Sequence, residues 1–210
     1  MQASRKRLLA FTAVTSSMML AGATAYFFDV PPFASRGKID ASKVCEVLGT
    51  SEKLVPALRT ALPKSSEYSF RNREKSGDLS DRRFSAFHCF ARGEDGSPRP
   101  FTSYTEMMLA EGPKHWIDNY VNQQRFEDHE LSDFKAGDKG VASIRTAGIS
   151  VPCIPDGKVI GGQYNLSTVV TLKQDNDSDD GDIRQALIDI ARSAAEYAHK
   201  KAKCELPSKL

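Results

Sequence analysis

Residues 84–91 read FSAFHCFA, and the fold turns on them. In an extended chain Phe84, Ala86, His88 and Phe90 point one way and Ser85, Phe87, Cys89 and Ala91 the other. Aromatic side chains on both sides suit a strand that is covered on both faces, so this segment is expected near the middle of a sheet. Upstream, Tyr68, Phe70 and Asn72 alternate with Ser69 and Arg71 in a second strand-like pattern, joined to the first by a charged connection, residues 75–83, that contains Gly77. Downstream, GEDGSPRP at 93–100 is a turn with Asp95-Gly96 at its tip, and residues 101–109 return as a third strand. Three such strands joined by short connections make an antiparallel meander.

Farther out the period changes. Gly112-Pro113 opens a helix that reaches about Arg125, and Trp116, Ile117, Tyr120 and Val121 give it an apolar stripe expected to pack on the sheet. Residues 140–147 and 149–154 read as two strands broken at Gly148. A Gly161-Gly162 turn then leads into a last strand over 164–172.

Helices are expected at both ends. Asp40 or Ser42 is placed to cap a short one carrying Val44, Val47 and Leu48, which Gly49 stops. A second, over 51–62, places Leu54, Leu58 and Leu62 on one side; Pro56 lies in its first two turns and Pro63 ends it. The long C-terminal pattern, 182–204, repeats Ile183, Leu187, Ile190, Ala194 and Tyr197 at spacings of three and four. Aspartates at its start and Lys200, Lys201 and Lys203 at its end complement the helix dipole. The order is helices, three strands, a helix, three strands, a helix: an α+β domain whose largely antiparallel sheet is covered by helices.

Residues 8–28, LLAFTAVTSSMMLAGATAYFF, carry no charge and follow Arg5, Lys6 and Arg7. About 20 apolar residues suffice to cross a bilayer core, and the basic flank at 1–7 holds that end in the cytoplasm. The same residues also fit a secretory signal with Ala23-Thr24-Ala25 as its cleavage site. Anchor and cleaved signal both stay open here, and both export everything that follows. DVPPFASRGK at 29–38 reads as an extended spacer, and residues 39–210 as the exported domain.

Charge narrows the partners. Arg5, Lys6, Arg7, Arg36 and Lys38 against Asp29 give the first 38 residues a net +4, so a chain of net +2 leaves −2 for the domain. A domain without basic excess is not built to neutralise phosphate backbones, so no nucleic-acid partner is expected. The expected partners are the membrane, through the N-terminal helix, and a protein of the cell envelope.

All four cysteines, Cys45, Cys89, Cys153 and Cys204, lie in the exported part. An even number in an oxidising compartment implies two disulfides, with three pairings open. Cys45 with Cys89 and Cys153 with Cys204 is the expected pairing, because each bridge then ties a terminal helix to a neighbouring strand. No C-x-x-C is present, which leaves thioredoxin-like redox chemistry and zinc ribbons without their usual form.

Other chemistry-bearing patterns are incomplete. The acidic loop DNDSDDGD, 175–182, lacks the bidentate acid of an EF-hand in either register, so it is expected to be a solvated loop capping the last helix, with weak calcium binding as the other reading. Gly148-Ile149-Ser150-Val151-Pro152 only brushes the nucleophile-elbow pattern, and Gly137 to Gly140 lacks the lysine-serine ending of a phosphate loop. His88, His115, His129 and His199 fall on different elements. His88, among aromatics on a strand, needs a hydrogen-bond partner and is expected to be a satisfied structural histidine. Asn165-Leu166-Ser167 and Asn176-Asp177-Ser178 match the glycosylation triplet. No catalytic residue, cofactor or metal ligand is assigned.

The basic start and apolar run, the cysteines in ASKVCEVLG, FSAFHCFA and SVPCIP, and the last one in AAEYAHKKAKC together resemble the uncharacterised exported proteins of actinomycetes. Some of those are lipoproteins, and several resemble the PsbP-like α/β/α fold. The resemblance is one of layout and cysteine placement, covers most of the exported part, and implies a fold and a compartment but no catalytic residues. The chain departs from the lipoprotein members in lacking a cysteine to acylate. The function expected is a membrane-tethered extracytoplasmic domain that binds a protein or envelope component; the alternative is an exported enzyme of hydrolase type.

Overall fold

The computed structural model describes residues 37–50, 52–75, 85–93, 100–125, 129–174, 176 and 178–210. The expected anchor or signal at 8–28, most of the spacer at 29–38, the connection at 75–83 and the turn at 93–100 lie largely outside the described residues. Among the described residues no helix is long and apolar enough to cross a membrane.

Seven strands form one sheet: β1 Tyr68–Lys75, β2 Ala86–Gly93, β3 Phe101–Leu109, β4 Ser132–Phe134, β5 Lys139–Ala142, β6 Thr146–Ile154 and β7 Tyr164–Leu172. Their order is β1-β2-β3-β7-β6-β5-β4, and every neighbouring pair is antiparallel. The sheet is thus two meanders zipped together along β3 and β7, from Phe101 opposite Leu172 to Leu109 opposite Tyr164. The α+β architecture and the antiparallel sheet are as expected.

Three details differ. Gly148 does not break a strand; it sits inside β6, and the chain turns instead at 143–145, where the Ser143 hydroxyl accepts from the amides of Arg145 and Thr146. A serine side chain thus makes a tight turn that glycine was expected to supply. The short edge strand β4 is a seventh, too brief and too polar to show a period of two. β2 lies one strand in from the edge, and the centre belongs to β7, all nine residues of which are buried. Aromatic content reported that β2 is covered, not that it is central.

One face of the sheet carries α3, Asp180–Lys201, which crosses β6 and β7. Asp179 caps it by accepting from the Gly181 amide at 2.8 Å. Ile183, Leu187, Ile190, Ala191, Ala194 and Ala198 are buried in one cluster with Phe101, Ile149, Val151, Leu166, Val170 and Leu172. The alanines bring the helix axis close to the sheet. α1, Leu54–Ala61, packs beside α3 with Leu54, Ala57, Leu58 and Ala61 inward. The expected short N-terminal helix is two 3₁₀ turns, Ala41–Lys43 and Glu46–Leu48. Asp40 caps the first, and Gly49 closes the second at φ 84°, a conformation that favours glycine.

The pairing of cysteines is the expected one: Cys45 with Cys89 (S–S 2.08 Å) and Cys153 with Cys204 (1.97 Å). Cys45 lies between the two 3₁₀ turns and not in a helix, and Cys204 lies three residues beyond α3. The second bridge therefore pins a C-terminal tail to β6, where Glu205 and Leu206 donate their amides to the Cys153 carbonyl at 2.8 and 3.1 Å.

Candidate functional site

The other face of the sheet holds the side chains one residue out of phase: His88 and Phe90 of β2, Tyr104, Glu106 and Met108 of β3, Asn165, Ser167 and Val169 of β7, Gly148 and Ser150 of β6. Half of this face is covered by α2, which runs from Pro113 to Gln124 and contains a π-helical turn, Ile117–Val121. In a regular α-helix Trp116 and Val121, five residues apart, would point about 140° from each other. The wider turn lets both face the sheet, where they are buried with Val141 and Val169. The stripe is therefore core packing, as expected, with Ile117 and Tyr120 at its margin. Gly148 is the seat: a Cβ there would stand 3.2 Å from both the Trp116 ring and Val121. The indole is oriented by a hydrogen bond from Nε1 to Ser167 Oγ at 2.7 Å.

Where α2 begins, it leaves a cleft of about 220 Å³ against the sheet. Its apolar side is Met108, Leu109, Pro113 and Trp116; its floor is polar. Asn165 organises that floor, donating from Nδ2 to Ser150 Oγ at 3.0 Å and Asp138 Oδ2 at 3.2 Å, while its Oδ1 accepts from Gln163 Nε2 at 2.9 Å. Asp138 also accepts from Lys209 Nζ of the C-terminal tail at 2.8 Å, and the Gly137 amide donates to the Lys209 carbonyl. Asn165, Ser150 and Ser167 are each no more than 8% exposed. Hydroxyls and an amide thus occupy positions whose burial would otherwise favour aliphatic side chains, and a few fixed polar groups against an apolar wall is a composition that small-ligand sites share.

The sequence assigns none of these residues to a site: Ser150 falls in an incomplete nucleophile-elbow pattern, Asp138 in an incomplete phosphate loop, and Asn165 and Ser167 in a glycosylation triplet. The signal was present as Gln163, Asn165 and Ser167 alternating with Tyr164 and Leu166, but a polar stripe on a strand reads as a solvent face until something is known to cover it. Buried as it is, Asn165 offers no acceptor for a glycan in the folded domain.

His88 finds its partner on β3. Its Nε2 lies 2.9 Å from Glu106 Oε1, and its ring meets Tyr104 edge-on at 4.8 Å and Phe90 at 6.4 Å. The hydrogen bond from His88 holds the Glu106 carboxyl below the usual carboxylate range, against the opposing pull of partial burial. The imidazole is thus satisfied, as expected. Beside it on this face stand Phe90 and Tyr104, with no serine or free thiol bonded to the ring among the described residues; the free-cysteine count is zero.

The remaining candidates are structural. The acidic loop caps α3 through Asp179 and also clasps the end of α1: Asn176 Nδ2 donates to the carbonyls of Thr60 and Ala61 at 2.5 and 2.8 Å, and Ser178 Oγ to Thr60 at 3.1 Å. Among the described residues no group of three or more histidine, cysteine, aspartate or glutamate side chains is arranged to hold a metal ion. His199 bonds the Leu206 carbonyl at 2.8 Å, and His115 pairs with Glu111. Tyr197, read as apolar from its spacing, is half-buried and donates its hydroxyl to Glu46 or Glu74; burial first, then the Glu74 charge, pushes its ionisation up. Comparison with known proteins adds no relative: no family model, no curated protein and no solved structure matches the chain.

Proposed function

We propose that this chain is an extracytoplasmic binding domain, tethered by residues 8–28 or released by cleavage before Tyr26, that recognises a component of the cell envelope through the cleft beside Trp116. The observation that carries the proposal is the hydrogen-bonded floor made by buried Ser150 and Asn165 with the partly exposed Asp138, beneath an apolar wall. Such an arrangement fixes polar groups in advance, which favours recognition. Two disulfides suit an oxidising compartment, and the resemblance to exported actinomycete proteins agrees with that placement. The domain's net charge of −2 speaks against nucleic acid as the ligand.

The test is co-sedimentation of the full chain with protein-stripped envelope preparations. Binding is expected for the native protein and its loss for Asn165→Leu; equal sedimentation of both would overturn the role given to the cleft. Intact-mass analysis, reduced and non-reduced, reports the N-terminus and the bridges together. A new terminus at Tyr26 means release and an intact one means a tether.

A second reading, an exported hydrolase, is favoured by the His88 and Glu106 pair, since an acid-oriented imidazole is the form of a general base. Turnover of ester or amide substrates that disappears in His88→Ala, with the fold retained, would establish it over the binding role.

A further inference from the structure

The chemistry of the cleft specifies the ligand more narrowly, an inference that rests on the binding role just proposed. The charged groups at the cleft stand at its partly exposed rim, where Asp138 pairs with Lys209, Lys139 pairs with Asp133, and Glu111 bonds His115. The buried part of the floor, Ser150 and Asn165, carries no charge, so a charged group seated there would lose water without gaining a countercharge. The uncommitted valences are neutral ones apart from one carboxylate oxygen, Asp138 Oδ2. Ser150 Oγ accepts from Asn165, which leaves its own O–H as a donor toward the cleft. Gln163 commits one N–H to Asn165, leaving its second N–H and its carbonyl oxygen. Asp138 Oδ2 retains a lone pair beside Asn165.

The floor therefore offers both donors and acceptors, and a hydroxyl group, which both donates and accepts, satisfies such a set best. Met108, the cross-strand neighbour of Asn165, and the indole of Trp116, held by Ser167, supply the apolar lining and suit a surface of C–H groups. The volume, about 220 Å³, is below the roughly 300–1,000 Å³ of sites for larger molecules, so one small ring fills it. We infer that the cleft beside Trp116 binds a neutral, hydroxyl-bearing ring the size of a single sugar residue, edge toward Ser150 and Gln163, carbon face toward Met108 and Trp116.

The experiment uses the full chain in micelles of a detergent without a sugar headgroup. Binding is followed by saturation-transfer NMR and titration calorimetry for a neutral hexopyranose, an N-acetylhexosamine and a cyclitol, with a uronic acid and an amino sugar of the same ring size as charged comparisons. At least one neutral ring is expected to bind in the millimolar range, at least tenfold more tightly than either charged analogue. Gln163→Ala and Ser150→Ala are each expected to weaken it about tenfold, with Trp116 fluorescence and cooperative unfolding retained and the thermal midpoint lowered only modestly by the bond lost to Asn165.

Equal or tighter binding of a charged analogue overturns the inference, as does unchanged affinity in both folded variants. If no ring binds while envelope sedimentation still depends on Asn165, the ligand class is wrong and the binding role stands. If that dependence is also missing, both fall.

Discussion

The two meanders of the sheet present opposite chemistries on the face away from α3. On β1 to β3 the exposed Arg71, Arg73 and Lys75 run beside the rings of His88, Phe90 and Tyr104. On β6 and β7 the same face is Thr146, Ser150, Asn165, Ser167 and Thr171, nearly all of it buried. Strand register is continuous across the join at β3 and β7, so backbone pairing does not make the difference. Covering does: where α2 and its surroundings close over small polar side chains they become an organised floor, and where cations line an edge strand they stay in water and discourage another strand from adding to it. Centrality in this sheet goes with small hydroxyls, and aromatic rings mark the flank.

Each meander has its own disulfide, and removing them is the strongest way to break the comparison. The bridges close sequence separations of 44 and 51 residues, for which chain entropy gives about 4 kcal/mol each. The paired alanine variants at Cys45 and Cys89, and at Cys153 and Cys204, are expected to lose similar stability in denaturant titrations. Their local signatures should differ: hydrogen exchange should rise in the 3₁₀ turns and β2 for the first, and in the tail and β6 for the second. Matching exchange patterns would show that the halves do not open separately.

A smaller effect tests the loop that joins the sheet to α3. Asn176→Ala removes the side chain bonded to Thr60 and Ala61 and should cost about 1–2 kcal/mol, read as a lowered thermal midpoint. Thr171→Val should move stability the other way, by up to about 1 kcal/mol, because the Thr171 hydroxyl is buried without a partner and valine keeps its shape. Destabilisation by that change would mean that a bridging water satisfies Thr146 and Thr171 together.

The smallest expected effect is on the aromatic side. Because Glu106 titrates below its unfolded range, its link to His88 contributes stability that is fully present above the unfolded carboxylate pKa and is lost as pH falls through the lower, folded value. Glu106→Gln should therefore differ from the native protein near neutrality, and the two unfolding curves should converge under acid. A difference that grows with acidity would reverse the assignment. The Glu106 side chain is half exposed, so the shift should be small.

Much of this architecture was legible in residue pattern. The apolar spacing of Ile183, Leu187, Ile190 and Ala194 located the long helix, and the alternation around Phe87 and Cys89 located a covered strand. The cysteine pairing followed once the elements were in order. What escaped is what depends on a distant partner: Glu106 for His88, Thr60 for Asn176, Asp138 for Lys209. The cleft lay in the same blind spot, since Ser150, Gln163 and Asn165 are ordinary surface types until α2 roofs them. Gly148 misled for a related reason. Its lack of a side chain serves Trp116 from above and not the path of its own strand.

The bridge from Cys153 to Cys204 has a practical corollary at the bench. It secures the segment from which Lys209 neutralises Asp138, 71 positions away in sequence, so the electrical balance of the cleft depends on an oxidised cystine outside it. Protein purified with a thiol reductant would carry a loosened strap beside Asp138, and any measurement on the cleft made in that buffer would be reporting on an altered surface.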